Sequence, residues 1–242
     1  MRIALYGYGK MGKAIEQAAI AKGHEVTLKV GSANAGTPPA GCDVAIEFSR
    51  PERALENIRL CLDARVPVVV GTTGWYAHLN EVRAWVNHSG GTLLWASNFS
   101  IGVNLFFQLN RYLAGLMDPQ ARYQVHIDEV HHVHKLDAPS GTAITLARDI
   151  DLKTQRYSGH ILTEAMDLPE HQEGTPTPVP VRSERTGEVP GKHSITWTSP
   201  EDRITITHDA FGRQGFATGA VVAAEWVRGR RGLFTMADVL GG

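Results

Sequence analysis

The strongest constraint on the fold is a strand, a glycine turn and a helix at the start of the chain. Arg2-Ile-Ala-Leu-Tyr6 is a short apolar strand, Gly7-Tyr-Gly-Lys-Met-Gly12 follows without a gap, and Lys13–Lys22 is a helix-favouring run stopped by Gly23. In that order Gly7 permits a tight turn and Gly9 lets the backbone approach a pyrophosphate, whose charge faces the helix N-terminus. The G-x-G-x-x-G spacing is weak evidence alone, and the flanking strand and helix give it weight. The segment reads as the entry of a dinucleotide-binding unit.

The next hundred or so residues repeat the alternation. Strands are expected at His24–Val30, Asp43–Phe48, Val66–Gly71 and Gly91–Ala96. Between them lie a loop at Gly31–Gly41, a helix to about Ala64 with Ser49 as cap and Pro51 in its first turn, and a helix near Leu79–Val86. This is α/β: a Rossmann-type, doubly wound parallel sheet. Ligands bind beyond the carboxyl ends of such strands. Gly7, Tyr8, Gly9, Lys10, Met11 and Gly12, then Gly71, Thr72 and Thr73, and finally Ser97, Asn98 and Phe99 are therefore the expected cofactor contacts.

From Gly102 the pattern changes. Leu105, Leu109, Tyr112, Leu113 and Leu116 have helical spacing, which predicts a core-facing helix. Tyr123–Glu129 alternates as a strand, a helix is expected from Ser140 to about Ile150, and Thr175–Pro190 reads as irregular. His193–Thr198 and Arg203–His208 form a hairpin across Ser199–Asp202, and a final helix at Phe216–Arg228 returns the chain to its first domain. The expected division is 1–101 with 212–242, into which 102–211 inserts as an α+β domain with a mixed or antiparallel sheet.

The chemistry concentrates in Glu129-Val-His-His-Val-His-Lys135 and the adjoining Asp137-Ala-Pro-Ser-Gly-Thr-Ala143. Three imidazoles and an ammonium precede a helix start, whose unpaired N–H groups hold anions. A metal site is one reading, but the nearby carboxylates are only Asp128, Glu129 and Asp137, with no cysteine and no His-Glu-x-x-His, so no metal ligand is assigned. Polar residues on a domain edge explain one histidine but not the cluster. Acid catalysis combined with carboxylate binding accounts for every element, since imidazole titrates near neutrality.

This central run closely resembles the signature of dihydrodipicolinate reductases. Gly7–Gly12, Phe48–Pro51, Gly71–Gly74, Ser97–Asn104, Gly191–His193 and Phe216–Ala220 are similar to family segments in the same order. The resemblance implies NADPH- or NADH-dependent reduction of a dihydropyridine dicarboxylate, or its 4-hydroxy-tetrahydro form, to tetrahydrodipicolinate in diaminopimelate and lysine synthesis. By the same resemblance His131 is the proton donor with Lys135 as partner. His132, Lys135, Ser140, Gly141 and Thr142 bind the substrate carboxylates, and a homotetramer forms through the second domain.

The chain departs from the dinucleotide pattern at Lys29–Asn34, which carries no carboxylate for the adenosine ribose. That admits NADPH, with Lys10, Lys29 and Ser32 as candidate phosphate contacts. The formal net charge of −1 gives no basic excess for nucleic acid, and no apolar run suffices for a membrane span. Cys42 and Cys61 read as buried free thiols, which fits a cytoplasmic protein. Two other readings stay open. A metal hydrolase would carry bound metal and lose activity to a chelator; a nucleotide sensor would bind nicotinamide without turnover and be indifferent to His131→Gln.

Overall fold

The computed structural model describes residues 1–164 and 175–241. The elements run β1 (Arg2–Tyr6), α1 (Lys10–Ala21), β2 (Glu25–Val30), β3 (Val44–Glu47), α2 (Pro51–Asp63), β4 (Val68–Val70), α3 (Leu79–Ser89), β5 (Thr92–Trp95) and α4 (Ile101–Met117). They continue with β6 (Gln124–His131), α5 (Gly141–Asp151), β7 (Tyr157–Leu162), β8 (Thr177–Arg185), β9 (Lys192–Thr198) and β10 (Arg203–Asp209). The chain closes with α6 (Gln214–Trp226), β11 (Gly232–Phe234) and α7 (Met236–Val239). Two compact units result, Met1–Asn104 with Arg213–Gly242, and Leu105–Gly212.

The first unit holds a parallel sheet in the order β11-β5-β4-β3-β1-β2. Ile3, Ala4, Leu5 and Tyr6 are all fully buried, as the unbroken apolar run requires of a strand covered on both faces. One face packs Ile3, Leu5 and Ile46 against α1 and α6, and the other packs Ala4, Tyr6 and Val70 against α2 and α3. Ala220, Val221, Ala224 and Val227 on the α6 side are completely buried, on the face the spacing selects. A Cβ added at Gly219 would lie 1.8 Å from the Phe99 carbonyl oxygen, so helix and backbone meet with room only for hydrogen. Gly219→Ala is expected to cost about 1–3 kcal/mol of stability by overpacking, read as a lowered denaturation midpoint with an unchanged slope.

Two expectations for this unit are corrected. Ser49 does not cap α2. Arg50 occupies the N-cap without a side-chain hydrogen bond, while the Ser49 hydroxyl donates to Glu47 Oε1. Glu47 is fully buried at the end of β3, and its demand for donors outcompetes the helix end. Cys61 is buried as expected, whereas Cys42 is only half-buried, with Sγ 3.4 Å from Thr27 Oγ1.

The second unit holds a mixed sheet in the order β10-β9-β6-β8-β7, antiparallel among β10, β9 and β6 and parallel among β6, β8 and β7. Trp197 is fully buried within its own unit among Val125, Leu146 and Ile195, and its ring meets Tyr157 edge-on at 6.0 Å.

Here too the sequence expectation needs two corrections. Thr175–Pro190 is not irregular, because β8 occupies its middle. Thr177 N and Val181 O bond toward β7, so Pro178 and Pro180 point the other way, where pairing with β6 begins only at Val181. Both prolines therefore sit where no N–H is needed. Helix α4 forms, but its core face is Val103, Phe106, Asn110, Ala114 and Met117, while Leu105, Leu109, Tyr112 and Leu116 are exposed. Asn110 interrupts the apolar stripe that is buried, donating to the Leu146 carbonyl at 3.0 Å, and so makes the outer stripe look the more continuous. No helix among the described residues is long and apolar enough to cross a membrane.

Candidate functional site

In the first unit the carboxyl ends of β1, β2 and β3 open on a cavity of about 710 Å³, lined among others by Gly7, Tyr8, Gly9, Ser32, Arg50 and Arg53. Gly7 has φ +90°, and a Cβ there would lie 2.1 Å from the Phe48 carbonyl oxygen. Gly12 packs on the turn itself, since a Cβ would come 2.2 Å from Gly7 O. A Cβ on Gly9 would meet nothing within 4 Å. Two glycines thus serve the fold, and the third leaves open space at the N-cap of α1, where backbone N–H groups are unpaired. These residues fit the pyrophosphate of a dinucleotide.

The other expected cofactor residues fall into three groups. Ser32 lines the cavity; Lys10 and Lys29 do not. Lys29 is held by Glu16 at 2.5 Å, over the Tyr8 ring. Thr72 is buried, with Oγ1 accepting from Ser49 N at 2.8 Å; Thr73 and Ser97 are exposed beyond β4 and β5. Asn98 Oδ1 accepts from Ser100 N at 2.9 Å. Phe99 is buried in the core against Phe48, so its side chain is structural. Burial pushes the Glu47 carboxyl up despite donors from Ser49, Thr72 and Asn57. This network ties the β3–α2 turn to the ends of β3 and β4.

In the second unit the strand register builds the catalytic candidates. Val125, Ile127, Glu129 and His131 share the buried face of β6. Glu129 lies opposite Ser183 on β8 and His193 on β9, and His131 opposite Arg185. Glu129 Oε1 accepts from Ser183 Oγ at 2.7 Å, Arg185 Nη2 at 3.0 Å and Ser140 N at 3.0 Å. Its Oε2 faces His131 Nδ1 at 3.3 Å and His193 Nε2 at 3.5 Å, both longer than a well-formed bond. Burial alone would raise the Glu129 carboxyl; the surrounding imidazoles and serines outweigh it and hold the group far below the usual carboxylate range. Burial lowers His193, which favours the neutral imidazole. The His131 ring packs against Gly191, where a Cβ would come 3.0 Å from Nε2.

Beyond His131 the strand ends in a turn. His132 is half-buried, and His134 reaches Glu188 at 3.0 Å. Lys135 Nζ bonds Asp137 at 2.8 Å, which lowers the Asp137 carboxyl. Ser140 caps α5, accepting from Ala143 N at 3.2 Å, and its Oγ also lies 3.1 Å from His193 Nε2. That buried hydroxyl is fully engaged. Gly141 and Thr142 occupy the first helical positions, where N–H groups have no partner inside the helix, and neither residue is buried.

Glu129, His131 and His193 place three possible metal donors within 4.8 Å of one another. The Arg185 guanidinium sits on the same carboxylate, and a fixed cation there opposes a second one. Sequence reasoning left Glu129, His193, Arg185 and Ser183 out of the site. The signal available was a carboxylate in phase with Val125 and Ile127 on the inward face of a strand. It also left out Arg50 and Arg53, which follow the third strand rather than the second.

Residues 1–99 match the family described as dihydrodipicolinate reductase, N-terminus, and residues 102–240 its C-terminus. A curated 4-hydroxy-tetrahydrodipicolinate reductase from Christiangramia forsetii is 44% identical over 99% of this chain and 98% of its own length. Its counterpart from Neisseria meningitidis is 37% identical over 90% of this chain and 81% of its own. Among solved structures, a dipicolinate-bound dihydrodipicolinate reductase from Paenisporosarcina sp. TG-14 shares the fold with a TM-score of 0.77, at 24% identity and 97% coverage of each chain.

Proposed function

The chain belongs to the dihydrodipicolinate reductase family and is an NAD(P)H-dependent oxidoreductase of lysine and diaminopimelate synthesis; from that premise we propose a histidine-assisted reduction of 4-hydroxy-tetrahydrodipicolinate to tetrahydrodipicolinate, in which the 4-hydroxyl leaves as water. When bound, NADPH or NADH supplies the hydride. His131 gives the proton to the neighbouring ring carbon. Glu129 faces the His131 Nδ1 and orients the ring, leaving Nε2 for proton delivery. Lys135 stabilises negative charge on the ring, and its contact to exposed Asp137 is exchangeable for a substrate carboxylate. The free N–H groups of Gly141 and Thr142, with His132, bind the carboxylates. The reading rests chiefly on one observation: a buried imidazole facing a buried carboxylate, followed in the adjoining loop by a cation and an open helix start.

Lys135→Ala is expected to lower kcat/KM by about 10²-fold, with losses in both kcat and substrate affinity. Steady-state kinetics checks this; unchanged parameters would remove Lys135 from the site. The defining experiment supplies substrate in place from pyruvate and aspartate semialdehyde through the preceding synthase, and follows cofactor oxidation. Cofactor binding without synthase-dependent oxidation would reject the reductase reading. The proposal extends to a cytoplasmic homotetramer through the second unit, supported by the exposed Leu105, Leu109, Tyr112 and Leu116 on α4.

A further inference from the structure

The cavity of the first unit carries two cations that the glycine turn does not require. Arg50 at the N-cap of α2 and Arg53 in its first turn both line it, and no carboxylate does. Among the described residues Arg50 has no ion pair. Arg53 Nη1 pairs with Glu56 at 2.9 Å, with both side chains nearly half exposed. Glu56 in turn faces the loop after β2, its Oε1 being 3.9 Å from where a Cβ on Gly36 would stand. Arg53 is thereby located beside the loop that carries Ser32 and Ala35 on the same cavity wall. At that wall dinucleotide folds read the 2′ position of the adenosine ribose. The segment Gly31–Gly36 contains no charged residue, and Lys29 is engaged by Glu16.

We propose that Arg53, with Arg50 and Ser32, forms the site for the adenosine 2′-phosphate of NADPH, so that the selecting charge comes from α2 instead of the end of β2. The inference rests on the nicotinamide-nucleotide part of the proposed function and not on its dicarboxylate chemistry. A guanidinium fork matches phosphate oxygens in a way a single ammonium does not. Glu56 competes for Arg53 in the free protein, and an incoming dianion displaces it, since the existing pair is solvent-exposed and weak.

Calorimetric titration of the full chain with adenosine 2′,5′-bisphosphate and adenosine 5′-monophosphate separates the phosphate from the rest of the nucleotide and needs no turnover. The bisphosphate should bind about tenfold tighter than the monophosphate. Arg53→Ala should lose that tenfold while leaving the monophosphate within about twofold, and Glu56→Gln should tighten the bisphosphate alone. Equal weakening of both ligands by Arg53→Ala would overturn the proposal, because the arginine would then contact the nucleoside. Absence of any bisphosphate preference in the unsubstituted protein would overturn it as well. Either result, with nucleotide binding intact, leaves the reductase reading standing. Binding of neither ligand would reject both together.

Discussion

His131→Gln is expected to lower kcat about 10³-fold while the substrate KM changes little, because the substitution removes the proposed proton donor and leaves the proposed carboxylate-binding groups in place. Glutamine can retain a contact to Glu129 through its side-chain amide but cannot deliver a proton near neutrality. Its neighbours make the experiment stringent. The ring fills a buried space between Glu129, His193 and Gly191, so a smaller replacement would open a cavity and confuse folding with catalysis. The synthase-coupled assay measures the rate, and a thermal melt of the same preparation checks the fold. A variant that retained the full rate would exclude His131 as the donor and point to His132, the adjacent half-buried imidazole.

The second large effect separates binding from folding within a single glycine turn. Gly9→Val should weaken NADPH and NADH by about 100-fold or more, by filling the space a pyrophosphate needs, while the melting temperature stays close to that of the unsubstituted protein. The reason is local: nothing lies within 4 Å of a Cβ at Gly9. The same change at Gly7 or Gly12 would drive a side chain into backbone, 2.1 Å from Phe48 O or 2.2 Å from Gly7 O, and destabilise the unit. Fluorescence titration with each cofactor, run beside the melt, checks the pattern. Full cofactor affinity in folded Gly9→Val would show that this turn does not face the nucleotide.

Five strands of the parallel sheet were legible because their information is local: β1, β3, β4 and β5 are short apolar runs, β2 alternates, and each is followed by a turn or helix start, whereas the three-residue β11 was not expected. The second unit was harder because its decisive facts are non-local. Pro178 and Pro180 suggest irregular chain until one knows that β6 pairs with β8 only from Val181 onward. The α4 stripe of Leu105, Leu109, Tyr112 and Leu116 has good helical spacing, but spacing cannot say which of two stripes is covered, and Asn110 disguised the true one. The site divides in the same way. His131, Lys135 and the Ser140 cap lie in one contiguous run and could be read directly. Their support, Arg185, Ser183 and His193, arrives across strand register from over fifty residues away in sequence. Arg53 stands on α2, after the third strand, whereas dinucleotide folds commonly place the residue that reads the ribose at the end of the second.

The return of α6 and β11 to the first unit fixes an order of assembly. Ala217, Ala220 and Val221 are part of the core that also holds Ile3, Leu5 and Phe99, and β11 forms the sheet's outer strand beside β5. On the ribosome, Met1–Asn104 therefore emerges with one face of its sheet covered by α1 alone, and its closing helix is still unmade. At about 5–20 residues per second, Leu105–Gly212 takes on the order of 5–20 s to follow. That later segment is continuous in sequence and contains its whole core, so it is the first able to finish folding. The half synthesised first is the half completed last, and during those seconds its half-covered face is the stretch of nascent chain most in need of a chaperone's cover.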